Sequence, residues 1–202
     1  MYPARGLRTI AVHDSRYYFS QEFSFVGLSD LGYTGIQPRK DSSGKAVLHG
    51  AFSSFIANTT TYDGHCHLGA DGGPGVSCSV ERNGVYNRTY NFEVKTTGEN
   101  LWVGTAVDIV TGERIHIGSY TVPGPSQGIN RSQLSFVEWY LWNTTIRQTV
   151  TIFGDPTTTH AGSVGKQKAF YEGDGCVGQA AFHSESVMDG AEVNCGFTGQ
   201  SA

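Results

Sequence analysis

Long apolar runs are missing from this sequence, and no stretch approaches the roughly 18 residues a membrane-spanning helix requires. Basic clusters are missing too. Lys and Arg number 14 against 18 Asp and Glu, for a net charge of -4, so the Lys/Arg patch of a nucleic-acid footprint is excluded. Charge of either sign is scarce at 16%, which leaves Ser, Thr, Asn and Gly to make the surface polar. Helical periodicity is nearly absent. The opening Met1-Tyr2-Pro3-Ala4-Arg5 lacks the apolar centre of a signal peptide, so the chain reads either as mature with an added Met or as intracellular.

Two features favour the secretory compartment. Asn-x-Ser/Thr acceptors for N-glycans occur at Asn58, Asn87, Asn130 and Asn143, which is half of all the Asn residues. The cysteines fall as two local pairs, Cys66 with Cys78 and Cys176 with Cys195. Three connectivities are open, and these pairings close the shortest loops; a staple closing about 15 residues is worth roughly 3 kcal/mol in the chain-entropy picture. Neither pair has the C-x₂-C spacing of a zinc site.

Glycine, at 27 copies, punctuates short apolar segments along the whole chain. Segments of five to nine β-branched or aromatic residues between turn residues read as strands. They are expected near 17–26, 33–37, 46–55, 76–80, 89–96, 101–109, 114–122, 133–142, 149–153, 178–184 and 192–197. Asp108 and Thr111-Gly112 mark a hairpin, and Asn83-Gly84 carries the signal of a type I′ turn. About eleven strands with neither repeat nor linker predict one all-β domain over residues 1–202. The expected form is a two-sheet antiparallel β-sandwich of jelly-roll type.

Side chains alternate along a strand, so each segment divides into two faces. Leu101, Val103, Thr105, Val107 and Ile109 are expected to face the core, leaving Trp102, Gly104, Ala106 and Asp108 on the other side. Likewise Phe136, Glu138, Tyr140 and Trp142 oppose Val137, Trp139 and Leu141. Tyr33, Gly35 and Gln37 oppose Thr34 and Ile36, while Val47, His49, Ala51 and Ser53 oppose Leu48, Gly50 and Phe52. Large aromatics beside small residues, with a few isolated polar groups, suit a ligand lying across a sheet. Tyr33, Trp102, Glu138, Tyr140 and Trp142 are therefore candidate substrate-binding residues, and Gln37 and His49 candidate catalytic donors.

Familiar catalytic machinery is sparse. There is no G-x-S-x-G elbow. Glu138 with Asp108 is a weak match to a glycosidase carboxylate pair. His65-Cys66-His67 has a spacing that metals use, and Asp63 and Asp71 are carboxylates that calcium takes. No third ligand for the histidines is evident, so neither metal nor cofactor is expected. The glycine-rich run 69–75 lacks the Lys-Ser/Thr and helix of a phosphate loop.

The segments Gly32-Tyr33-Thr34-Gly35-Ile36-Gln37-Pro38-Arg39, Ala51-Phe52-Ser53-Ser54-Phe55 and Asp71-Gly72-Gly73-Pro74-Gly75-Val76-Ser77-Cys78 resemble a family of small secreted all-β proteins of actinomycetes and filamentous fungi. So do Val110-Thr111-Gly112-Glu113-Arg114-Ile115-His116-Ile117-Gly118 and Phe136-Val137-Glu138-Trp139-Tyr140. The resemblance covers about residues 20–155 and implies the fold more than an activity. One fungal branch of such proteins implies a hetero-Diels–Alderase of tropolone–sesquiterpenoid biosynthesis, which joins an o-quinone-methide tropolone to an alkene such as humulene. That chemistry needs an apolar, shape-matched site and a donor to polarise the heterodiene, with no cofactor. The expected partners are thus small apolar or aromatic substrates, with neither nucleic acid nor membrane. A secreted carbohydrate-binding module or lectin, with aromatics stacking on sugar rings, is the alternative; a glycan hydrolase or lyase using Glu138 is a third.

Overall fold

The computed structural model describes residues 2–9 (as backbone), 16–140, 149–159, 165–167 and 181–196. All regular structure in them is β. In chain order the strands are β1 (Tyr2–Thr9), β2 (Tyr17–Ser24), β3 (Leu31–Ser42), β4 (Lys45–Ser54), β5 (Cys66–Ala70), β6 (Gly73–Asn83), β7 (Thr89–Gly98), β8 (Leu101–Asp108), β9 (Arg114–Thr121), β10 (Leu134–Trp139), β11 (Thr149–Gly154), β12 (His183–Val187) and β13 (Gly190–Cys195). They form a seven-stranded sheet, β12-β13-β11-β1-β7-β8-β9, and a six-stranded sheet, β10-β2-β3-β4-β6-β5, with antiparallel pairing throughout. The expected β-sandwich is what forms. Strands β1 and β5 were not foreseen, because Tyr2–Thr9 mixes Pro, Arg and Gly without alternation and Cys66–Ala70 is short and has no β-branched or aromatic residue.

The two sheets share one core. Phe52 of β4 stacks on Tyr120 of β9 with ring centroids 4.4 Å apart, and Phe25 meets Trp102 at 4.8 Å. Glycines let the layers close. A Cβ at Gly104 would lie 2.4 Å from Cγ of Phe52, and one at Gly118 would lie 2.4 Å from Cβ of Cys78 and 2.6 Å from Sγ of Cys66. Gly104→Ala should therefore lower stability by about 1–3 kcal/mol, the usual cost of overpacking a filled core, readable by urea denaturation. An unchanged midpoint would mean that Phe52 has room to move.

The turn chemistry is partly as expected. Asp108 Oδ1 accepts from the backbone N–H of Val110 and of Thr111, capping the β8–β9 hairpin. Asn83-Gly84 is a correction: neither residue has positive φ, and there the chain leaves β6 for β7 in the other sheet. Left-handed pairs instead fill three other two-residue turns: Ser43-Gly44 between β3 and β4, Glu99-Asn100 between β7 and β8, and Asp71 (φ 47°) with Gly72 (φ 79°) in the β5–β6 hairpin. Cys66 and Cys78 pair directly across that hairpin and are disulfide-bonded.

The second expected staple, Cys176 with Cys195, reaches beyond the described residues. Cys195 is a free thiol, paired through its backbone with Thr149 and packed against the core; burial pushes it up to about 11. Cys176 lies outside the described residues.

On the seven-stranded sheet, Glu93 of β7 accepts a bidentate pair of hydrogen bonds from Arg114 (3.0 and 2.7 Å) and lies 2.6 Å from Lys95 Nζ. These partners, Arg114 above all, hold its carboxyl down at about 2 against the upward pull of burial. A depressed carboxylate contributes stability above the unfolded value near 4.5 and loses it as pH falls towards 2. We expect the melting temperature to drop between pH 4.5 and 2, and to drop less over that window in Arg114→Met. Identical pH profiles for the two proteins would exclude this cause.

Candidate functional site

The outer face of the six-stranded sheet gathers residues that the alternation argument put together. The registers align Gln37 with His49 and His49 with Glu81. Pairing of Phe19 with Ile36 sets Tyr18 beside Gln37, and Glu138 pairs with Tyr18. One cross-strand row thus runs Glu138–Tyr18–Gln37–His49–Glu81 over β10, β2, β3, β4 and β6. The next row is built of small residues, Ser20, Gly35, Ala51 and Ser79, capped at one end by Phe136. The third holds Tyr33 and Ser53.

The polar row has an unusual property. Five buried side-chain N or O atoms among the described residues have no hydrogen-bond partner, and three of them are Tyr18 Oη, Gln37 Oε1 and His49 Nδ1. The other two, on Trp102 and Thr149, belong to the seven-stranded sheet. A buried unpaired polar atom costs about 1–3 kcal/mol, and native proteins hold few of them. Tyr18 is 4% exposed although it points away from the opposing sheet, and Gln37 and His49 are half-buried, so the centre of the row lies below the surface while Glu138 and Glu81 at its ends are exposed.

Aromatic rings bound the row. Tyr18 contacts Tyr33 and Phe136 edge-on at 5.3 and 5.7 Å, and Tyr33 meets Phe55 at 5.3 Å. Tyr33 donates to Asp71 Oδ2 at 3.1 Å. Tyr140 accepts from Arg39 Nη1 at 3.3 Å, with the guanidinium 5.9 Å from its ring centroid.

Electrostatics follow from this burial. Burial raises Tyr18 well above the usual phenol range, with Tyr33 adding to it. Burial also lifts Tyr33 to about 12. Both hydroxyls therefore keep their protons and act as donors at neutral pH. Burial lowers His49, and Arg39 lowers it further against the pull of Glu81, so its imidazole is neutral at pH 7. Glu138 is raised by burial and then by the Asp71 carboxylate.

Several expected site residues are elsewhere. Trp102 is 3% exposed and packs inward on Phe25, because Trp102, Gly104 and Ala106 face the opposing sheet while Leu101, Val103, Thr105 and Val107 point out. This reverses the expected faces of β8 and removes Trp102 from the outer surface of the other sheet. Asp108 is likewise inward, salt-bridged to Arg88 at 2.8 Å, so it is not the partner of Glu138. Trp142 and Asn143 lie outside the described residues. Of the other sequons, Asn58 and Asn87 sit on exposed turns at positive φ, whereas Asn130 Nδ2 already donates to Ser24 Oγ at 2.8 Å. Tyr18 was missed. Its place in an aromatic-rich strand start gave no sign that its hydroxyl, unlike its ring, would lack a partner.

Apart from this row, a partly open cavity of about 380 Å³ lies between the sheets, lined by Ile36, Leu48, Val80, Ala106 and Ile115 together with charged residues such as Lys45, Arg82 and Glu113. The charged pair at its edge, Arg88 and Asp108, is already satisfied internally. No protein-family model matches the chain, and no curated protein matches it at a meaningful level.

Proposed function

We propose that the Tyr18–Gln37–His49 row binds a small, largely aromatic molecule through a polar oxygen. On it the protein accelerates a stereoselective hetero-Diels–Alder cycloaddition, uniting an o-quinone-methide-type heterodiene with an alkene. The observation that carries this reading is a row of three buried polar atoms without a well-formed hydrogen bond, His49 Nδ1 having only Glu81 Oε1 at 3.5 Å, beside a strip of small residues and aromatic walls.

The cycloaddition forms one C–C and one C–O bond, with no atom lost and no nucleophile required. What it needs is a fixed approach of the two partners and a donor to the heterodiene oxygen as charge gathers there. Tyr18 is the best-placed donor, its hydroxyl protonated and uncommitted. Gln37 Oε1 is an acceptor and suits a hydroxyl neighbouring that oxygen, while His49 Nδ1 donates or accepts according to its tautomer. Phe136, Tyr33 and Tyr140 exclude water and limit the faces of approach.

A carbohydrate-binding module is the second reading, favoured by the Tyr and Ser content of this face. The sunken position of the row weighs against it, since stacking on sugar rings uses an open aromatic platform.

Stereochemical analysis of the adducts from a tropolone quinone methide and humulene, with and without the protein, tests the proposal. The uncatalysed mixture should collapse to one isomer, and no added cofactor should be required. Retention on an oligosaccharide column with an unchanged adduct mixture would favour the second reading. Ala106→Phe, which fills the inter-sheet cavity, should leave selectivity intact; loss of selectivity in a folded Ala106→Phe protein would move the site there.

A further inference from the structure

At the far side of the six-stranded sheet, the chain between β4 and β5 is tied to β9. Thr60 and Thr121 exchange backbone hydrogen bonds of 3.0 and 2.8 Å, and Thr61 Oγ1 donates to the Ser119 carbonyl at 2.7 Å. This connection carries Asp63 to β9. There the register with β8 slips between Gly104 and Thr105, where Gly118 and then His116 are the partners, leaving Ile117 as an extra residue. Such a bulge re-aims side chains. Ile117 is buried, while His116 and Ser119, three residues apart, both reach the same Asp63 oxygen. His116 Nε2 lies 2.6 Å and Ser119 Oγ 2.9 Å from Asp63 Oδ2. The other carboxylate oxygen accepts from the backbone N–H of His65 at 3.0 Å. The His65 and His116 rings stand 5.6 Å apart. One donor atom from each of Asp63, His65 and His116 lies within 4.8 Å of the other two.

We propose that Asp63, His65 and His116 form a binding site for Zn²⁺. Two imidazole nitrogens with one carboxylate oxygen suit a borderline metal and disfavour Ca²⁺ or Mg²⁺, which prefer all-oxygen sets. Donors about 2.0–2.2 Å from a tetrahedral zinc stand roughly 3.4 Å from one another, a spacing reached here by small side-chain rotations. The carboxylate is oriented in advance by Ser119 and the His65 N–H, the second-shell arrangement that holds metal ligands in place. Both histidines are exposed, so water completes the coordination and the metal has an entry path. His67, the neighbour that sequence spacing favoured, takes no part: its Nδ1 lies against the Leu68 carbonyl at 3.1 Å. The metal would clasp the 57–65 connection to β9 beside the Cys66–Cys78 disulfide.

The test is calorimetric titration of chelator-stripped protein with ZnCl₂, paired with thermal melts in Zn²⁺, Ca²⁺ or Mg²⁺. We expect one equivalent of Zn²⁺ to bind at micromolar or tighter concentration, with a rise in melting temperature that Ca²⁺ and Mg²⁺ do not give. His65→Ala and His116→Ala should each weaken binding at least thirtyfold, and His67→Ala should leave it unchanged. His65 is exposed, and its loss removes no contact the fold relies on, so His65→Ala keeps the test valid if the His116 variant misfolds. Absence of binding at micromolar Zn²⁺ would overturn the proposal, as would equal affinity in folded His65→Ala.

Discussion

Tyr18→Phe should slow the cycloaddition about tenfold to a hundredfold while leaving the melting temperature unchanged or higher. A donor to the developing oxyanion that is worth about 1.4–2.8 kcal/mol gives that range of rates. The stability half of the prediction comes from the missing partner. Tyr18 Oη is buried without a well-formed hydrogen bond, its polar neighbour Ser20 donating instead to the Thr34 carbonyl, so deleting it removes a group whose burial is unfavourable while keeping the ring contacts with Tyr33 and Phe136. Gln37→Leu should behave in the same way, and His49→Leu should slow the reaction without unfolding the protein. Tyr140→Ala should instead erode stereoselectivity, because a wall has gone and a second approach opens. Rate, adduct ratio and melting temperature measured on the same preparations decide the matter. Variants that keep full rate, or that lose rate only in proportion to lost stability, would make the row part of the scaffold.

Replacing both Cys66 and Cys78 with Ser should lower stability by about 2–5 kcal/mol, the usual cost of losing a native disulfide in a small secreted domain. The local geometry argues for the upper part of that range. The sulfurs fill the space above Gly118, where even a Cβ has no room, so their removal leaves a gap at the contact between the sheets. The bridge also joins opposite positions of the β5–β6 hairpin, whose Asp71-Gly72 turn presents the carboxylate that holds Tyr33. Chemical denaturation of the double variant against the parent gives the number, and peptide mapping under non-reducing conditions gives the pairing. A midpoint shift of under about 1 kcal/mol would mean that the reduced hairpin is already held by its strand hydrogen bonds.

Much of the site was legible because alternation is a strict rule in regular strands. Tyr33, Gly35 and Gln37 on β3 and Val47, His49, Ala51 and Ser53 on β4 needed only the period of two to be placed on one face. The same rule gave Phe136, Glu138 and Tyr140. It failed on β8 because both faces of that strand carry apolar side chains. Leu101, Val103 and Val107 looked like the core set, yet the core demanded a large ring against Phe25 and a glycine beneath Phe52, which only the Trp102–Gly104–Ala106 face supplies. Shape complementarity decided, and hydrophobicity alone could not reveal it. The Asp63–His65–His116 cluster was illegible for another reason. A bulge changes the parity of β9, and the Thr60–Thr121 bridge joins segments that nothing in the sequence links.

The position of β1 has a consequence for how the chain acquires its shape. It lies between β11 and β7, so residues near the start of the chain pair with Thr151–Phe153 and with Thr89–Val94. The seven-stranded sheet remains split until its first strand finds a partner that is translated about 140 residues later. Most of the six-stranded sheet, by contrast, grows by pairing near neighbours, β2 with β3, β3 with β4 and β5 with β6. Loop closure penalises distant pairings, which places them late. The strands bearing Tyr18, Gln37 and His49 can thus be in register early, with the seam between β1 and β11 in the other sheet closing later.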